Sequence, residues 1–291
     1  MIRAARAEPR WEQLSRTAKH FLGRVLLYTI VTGGAVIFIM PFLWMLSTSV
    51  KPENLVREVP IVWIPPEFEW SNYIEPWSYL PFARFYANTV LLTVINVVGI
   101  LISASLVAFG FARIPFKGRD VHFLILLSTL MLPGQVKLIP TYFLWSRLGA
   151  INTYWPLIVP LWLSTAYDVF LLRQFFMTIP HDLDDAARID GCGWFGIYRY
   201  ILLPLAKPAL GVLAILNFSW NWNNFFEPLV YLNEMEKYTV SLGLTLFQTK
   251  AGPNIPDIMA MTVISMIPVI ITFFIAQRYF IQGIVITGSK G

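Results

Sequence analysis

The sequence predicts an all-α integral membrane protein with six transmembrane helices and a helical loop projecting from one membrane face. Two observations carry that prediction. Hydrophobic residues make up 56% of the 291 positions and charged residues only 13%, against roughly 25% charged in soluble domains. The charges are also clustered, leaving uncharged runs at Val25–Val50, Phe85–Ala112, Val121–Val136, Leu148–Tyr167, Pro208–Phe226 and Ile258–Gln277. A helix needs about 20 residues to cross the hydrocarbon core, and most of these runs reach that length. They lack the two-residue alternation of barrel strands, and lipid leaves no water to satisfy an open backbone, so helices are the expected form.

Taken in order, residues 1–24 form a basic tail with scattered apolar positions, either a short helix on the membrane surface or a solvated segment. The first run has no small-residue cleavage site after it and reads as a retained span. The stretch from Lys51 to Arg84 carries Pro52, Pro60, Pro65, Pro66, Pro76 and Pro81 with Trp63, Trp70 and Trp77. Proline breaks helices and tryptophan favours interfaces, so this is a stiff external loop, a docking surface for an external protein, or both. The third run is short, but Lys137 can snorkel and LIPTYF continues its apolar character. The connection Asn233–Asp257 contains Gly243, Gly252, Pro253 and Pro256 and reads as a loop with a short helix near Val240–Phe247.

Six spans put both termini on one side. That side carries fifteen of the 22 Lys and Arg residues, among them Arg113, Lys117, Arg119, Arg173, Arg188, Arg199 and Lys207, which makes it cytoplasmic. The net charge of +5 is spread over helix flanks without interleaved aromatics, so it reports membrane orientation and not nucleic-acid binding. The chain divides into a tail, 1–24, a six-span domain, 25–281, and a tail, 282–291. The single cysteine, Cys192, excludes an internal disulfide.

Between the fourth and fifth runs lies a polar insert, DAARIDGCGWFGIYRYILLP, from Asp185 to Pro204. Pro180 ends the preceding helix, Asp182 is placed to cap a new one, and Asp184 and Asp185 fall in its first turn, where the dipole favours negative charge. Ala186 and Ala187 leave a bare, shallow face, and Gly191 breaks or bends the helix. Trp194, Phe195, Ile197, Tyr198, Tyr200 and Ile201 then belong at the membrane interface, with Pro204 and Pro208 at the start of the next span.

The spacing of Asp185, Ala186, Ala187, Gly191, Ile201, Leu203 and Pro204 resembles the cytoplasmic coupling loop of binding-protein-dependent ABC import permeases. The stretches IPTYFLWSRLGAINTYWPLIVP, FLLRQFFMTIP, NFSWNWNNFFEPLVYL and QRYFIQGIVITGSKG are similar to the second permease subunit of maltose-type sugar importers. Asp185 stands where that family usually has Glu, and Cys192 where it usually has Ala. The resemblance implies that Asp184, Asp185, Ala186, Ala187, Asp190, Gly191 and Cys192, within the loop 181–201, form the ATPase-coupling element. It also implies a second, different permease subunit, two ATP-binding subunits that hold ATP and Mg, an extracytoplasmic solute-binding protein and a carbohydrate solute. Nearby lipid would be the inner membrane. The last residues, Gly283–Gly291, resemble a tail that in relatives reaches between the ATPase subunits; by themselves they are a short terminus.

The chain has no Gly-Lys dipeptide and therefore no Gly-Lys-Ser/Thr phosphate loop, so any ATP is hydrolysed elsewhere. His20, His122 and His181 are far apart and show no metal-ligand spacing. No cofactor, metal site or enzyme activity is expected in this chain. Asn217, Trp220, Asn221 and Asn224 fall at spacings of three and four and suit either a sugar path or a hydrogen-bonded seam between helices. Asp168 is the one clear acid in an apolar segment, serving as a cap or salt bridge or, with a relay, in proton coupling. The alternatives to sugar import are a permease for glycerol phosphate esters and an ion-driven secondary transporter, which would need more intramembrane acids.

Overall fold

In the computed structural model the described residues are 10–249 and 254–288, and every regular element among them is helical. Four helices are long and apolar enough to cross a membrane: Phe21–Ser49, Phe82–Arg113, Trp155–Thr178 and Ile255–Ile275. Two bent helix pairs bring the number to six when each pair is counted as one span. The chain clusters into two units, residues 1–72 with 255–260, and residues 73–254 with 261–291.

In the first unit helix α1, Arg10–Ser49, leaves apolar side chains such as Ile37 and Phe38 outward, an arrangement that lipid or an apolar partner surface permits. The following loop is tied back to the end of α1. Asn72 is buried and its amide donates to the carbonyls of Ser49 (3.1 Å) and Lys51 (2.9 Å), while Glu69 N–H donates to Val50 (2.9 Å). The Glu53 carboxylate accepts from Ile255 N–H (3.1 Å), satisfying a donor at the exposed start of the last helix.

The second unit is built around α2, Phe82–Arg113. Ala104, Ala108 and Ala112 recur every fourth residue and are buried, a small-residue stripe that lets a neighbouring backbone come close. Against it packs the fourth span, made of α5, Trp155–Trp162, and α6, Ala166–Thr178. Ile100 and Phe109 of α2, Val169, Leu172 and Phe176 of α6, and Leu213 of α8 (Lys207–Trp222) share one core cluster.

Three spans differ from their sequence expectation. The third is not one run over 121–136. Helix α3, Arg119–Ser128, continues as a tight turn to Met131, and α4, Gly134–Arg147, leaves it at 98°. Leu132, preceding Pro133, is extended (φ −83°, ψ 112°), as a pre-proline residue must be outside the helical region. The fourth span does not cover 148–167 but 155–178. Gly149 and Asn152 adopt left-handed conformations that delay its start, and the charge at Asp168 does not end it because two side chains satisfy that carboxylate. This span is interrupted at Leu163–Thr165, where Ser164 has φ +72°. The fifth is preceded by a second helical segment, Trp194–Leu205, bent 75° from α8. The turn at Ile197–Leu202 within it is a widened π-helix.

The anticipated short helix near 240–247 runs Val240–Thr249, and the final helix extends to Gly288, into the expected tail 282–291. Residues 1–9 of the N-terminal tail, 250–253 of the last outer connection and 289–291 of the C-terminal tail lie outside the described residues.

Candidate functional site

The polar insert folds as α7, Asp182–Ile189. The expected cap at Asp182 is not what starts it. The chain already turns helically at His181 (φ −68°, ψ −24°), whose carbonyl accepts from Asp184 N–H (2.9 Å) and Asp185 N–H (3.1 Å), so Asp182 is the first helical residue. Its end is set by Gly191 at φ +83°. Cys192 N–H donates to Ala187 (2.9 Å) and Gly191 N–H to Arg188 (3.0 Å), the paired bonds of a Schellman stop that needs a left-handed residue.

The helix divides the proposed coupling residues between two faces. Asp184 and Ala187 are buried against the bundle and Cys192 is half-buried, whereas Asp185, Ala186, Asp190 and Gly191 are exposed, with Ile189 87% exposed among them. Asp184 Oδ2 lies 3.0 Å from Arg113 Nε at the end of α2, both side chains being almost wholly buried. Arg113 Nη2 also donates to the Ile179 carbonyl (2.7 Å), and Nη1 lies 2.9 Å from His181 Nε2. On the outer face Asp185 and Arg188 approach to 3.5 Å, an exposed pair that adds little stability. The Arg188 guanidinium sits over Trp194, 4.2 Å from the ring centroid. Past the stop, Ile197 and Leu202 enter the core, and Tyr198 pairs its hydroxyl with Ser105 of α2 (2.8 Å). Phe195 and Tyr200 remain outward.

The polar residues of α8 separate. Asn217 Nδ2 donates to Asp168 Oδ1 (3.0 Å), and the other Asp168 oxygen accepts from the Thr165 hydroxyl. Asn221 Oδ1 accepts from Asn96 of α2 (2.8 Å), whose amide also reaches the Leu157 carbonyl (3.1 Å). Asn217 and Asn221 thus take part in a seam joining α2, the fourth span and α8. Trp220 is 74% exposed, away from that seam. Asn224 does not share the helical face, because α8 ends at Trp222; its amide donates instead to Glu227 (2.7 Å).

Sequence reasoning missed Arg113, His181 and Asn96 as members of these clusters. Arg113 counted only toward orientation, although its position at the end of the uncharged run 85–112 was the signal. Asn96 is an amide in the middle of an apolar run, which in lipid implies a partner.

A bundle around one central span, with an amphipathic loop helix braced against that span's end, defines a multi-pass membrane protein with a built-in contact element. The chain belongs to the family described as the binding-protein-dependent transport system inner membrane component, which it matches over residues 35–286. It is accordingly a membrane component of a transport system and not an enzyme. It is 35% identical over 260 residues, 88% of this chain and 93% of the relative, to the arabinooligosaccharides transport system permease protein AraQ of Halalkalibacterium halodurans. It is 31% identical over 281 residues, 94% of this chain and 98% of the relative, to the sn-glycerol-3-phosphate transport system permease protein UgpE of Brucella abortus (strain 2308). A solved bacterial ABC transporter involved in the import of the acidic polysaccharide alginate has a chain that superposes with a TM-score of 0.77 at 25% identity, covering 95% of this chain and 100% of that one.

Proposed function

We propose that this chain is one permease subunit of an ATP-driven importer for an oligosaccharide or related polyol. It forms half of the translocation path with a second, different permease subunit, while an extracytoplasmic binding protein delivers the solute. Both termini lie in the cytoplasm, where two ATP-binding subunits dock on the loop 181–201. The single observation that carries this reading is α7: a Schellman-stopped helix outside the spans, with one face buried on the bundle and the other, Asp185, Ala186, Ile189 and Asp190, left for a partner. The carbohydrate part is supported by the arabinooligosaccharide relative at 35% identity. Closure of the ATPases would displace α7 and tilt the spans joined to it, opening the path alternately to each side.

The glycerol-3-phosphate relatives favour a second reading, import of a phosphate ester. A phosphate path calls for cationic side chains, and α8 has one basic residue, Lys207, at its first position.

The test is solute uptake in vesicles holding this chain with its permease, ATPase and binding-protein partners. Proline cannot adopt the φ of +83° at Gly191. Gly191→Pro is expected to abolish ATP-dependent uptake while the complex still assembles. Uptake driven by an ion gradient without ATP would overturn the reading. Competition by an oligosaccharide but not by glycerol phosphate separates the two solute classes.

A further inference from the structure

The geometry points to Arg113 as a positioning residue that makes the loop helix and the ends of two spans move as one body. This inference rests on the coupling role proposed for α7. The covalent link from α6 to α7 is not continuous helix. Ile179 is extended (φ −78°, ψ 129°) and Pro180 has no N–H, so the chain can bend there and transmits a push poorly. Arg113 spans that joint. Its Nη2 holds the carbonyl of Ile179 before the joint at 2.7 Å, and its Nε holds the carboxylate of Asp184 beyond it at 3.0 Å. Its own backbone is the last residue of α2, the helix around which the second unit is packed.

Two details show that this contact is more than surface pairing. The Arg113 and Asp184 side chains are 0% and 3% exposed. Asp184 Oδ1 and Arg113 Nε are both buried with no hydrogen-bond partner, so the two side chains are joined by charge at 3.0 Å and not by a directed hydrogen bond, with His181 Nδ1 a further 3.6 Å contact to the same carboxylate. His181, at 2.9 Å from Nη1, closes the remaining side, with its ring 67% exposed. A planar guanidinium can donate to the Ile179 carbonyl from one edge while its Nε edge faces the Asp184 carboxylate, which a single ammonium on a flexible stem does poorly. A displacement of α7 is therefore carried directly into α2 and α6, and not only through the peptide link at Pro180.

The discriminating measurement is the ratio of solute taken up to ATP hydrolysed by the assembled complex in vesicles, for the wild type, Arg113→Gln and Asp184→Asn. A transmitting contact predicts that this ratio falls roughly 2- to 30-fold in both variants, the range over which mutations along a coupling route act. A purely structural contact predicts that uptake and hydrolysis fall together with the amount of complex, leaving the ratio unchanged; that result would overturn the inference. So would loss of assembly in both variants, since Asp184→Asn keeps the size and one acceptor of the native side chain. A wild-type complex that shows no ATP-dependent uptake fails earlier and counts against the importer reading itself.

Discussion

Asp184 is 2% exposed and ion-paired with Arg113, while Asp185, the next residue, faces outward with Arg188 at 3.5 Å. Successive helical residues diverge by about 100°, so one of the pair had to turn away from the bundle. Their chemistry does not say which; the position of Arg113 does. Glu234 is a carboxylate of a third kind. Lys237 donates to it, with the ammonium at 2.9 Å, and Asn152 adds to the same effect, holding its carboxyl below the ordinary glutamate value. A depressed folded-state pKa contributes stability that is present above the unfolded value and lost as pH falls through the folded one. The thermal-stability difference between wild type and Glu234→Gln should therefore be largest near pH 7 and shrink below about pH 4.3. A difference that grows on acidification would contradict the assignment.

At the scale of helices, close approach decides which residues are tolerated. A Cβ on Gly99 of α2 would lie 2.2 Å from Trp162 Nε1 and 2.4 Å from Cδ1. The indole is rigid, so it must move. Gly99→Ala is expected to cost about 1–3 kcal/mol, the usual range for overpacking. The check is a lowered Tm in detergent, with Trp162→Leu in the Gly99→Ala background recovering part of it. An unchanged Tm would mean that the tryptophan swings outward freely. Breaks in helices were less legible than helices themselves. Pro133 marks its bend in the sequence, and the pre-proline rule explains it. The interruption at Ser164 has no proline or glycine to announce it, only the Thr165 cap and the Asp168–Asn217 bond that stabilise the restart. The amide of Asn96 likewise meets Asn221 across a separation of 125 residues, which no local pattern encodes.

For the whole molecule, the proposed orientation puts the loop 181–201 in the cytoplasm and the Lys51–Arg84 stretch outside. In a Cys192→Ala background, a membrane-impermeant maleimide should label Asp190→Cys only in inside-out vesicles and Glu67→Cys only in right-side-out ones; both native side chains are exposed. Labelling on the reverse sides would invert the topology and remove α7 from reach of any ATPase. The asymmetry of fifteen basic residues against seven is what sets the expectation.

Composition and the pattern of long uncharged runs determined that this protein lives in a membrane as helices, because runs without the alternation of barrel strands have no other stable form in lipid. The motif from Asp185 to Pro204 likewise identified the loop and its family, since the spacing of a helix, a glycine stop and a proline start is local information. Tertiary structure decided the rest: which way α7 faces, that Arg113 grips both sides of the Pro180 joint, and that Asn217 and Asn221 serve a seam while Trp220 is left outward. Those outcomes depend on side chains brought together from distant positions, and a buried charge or amide takes its partner from whatever packing places within reach.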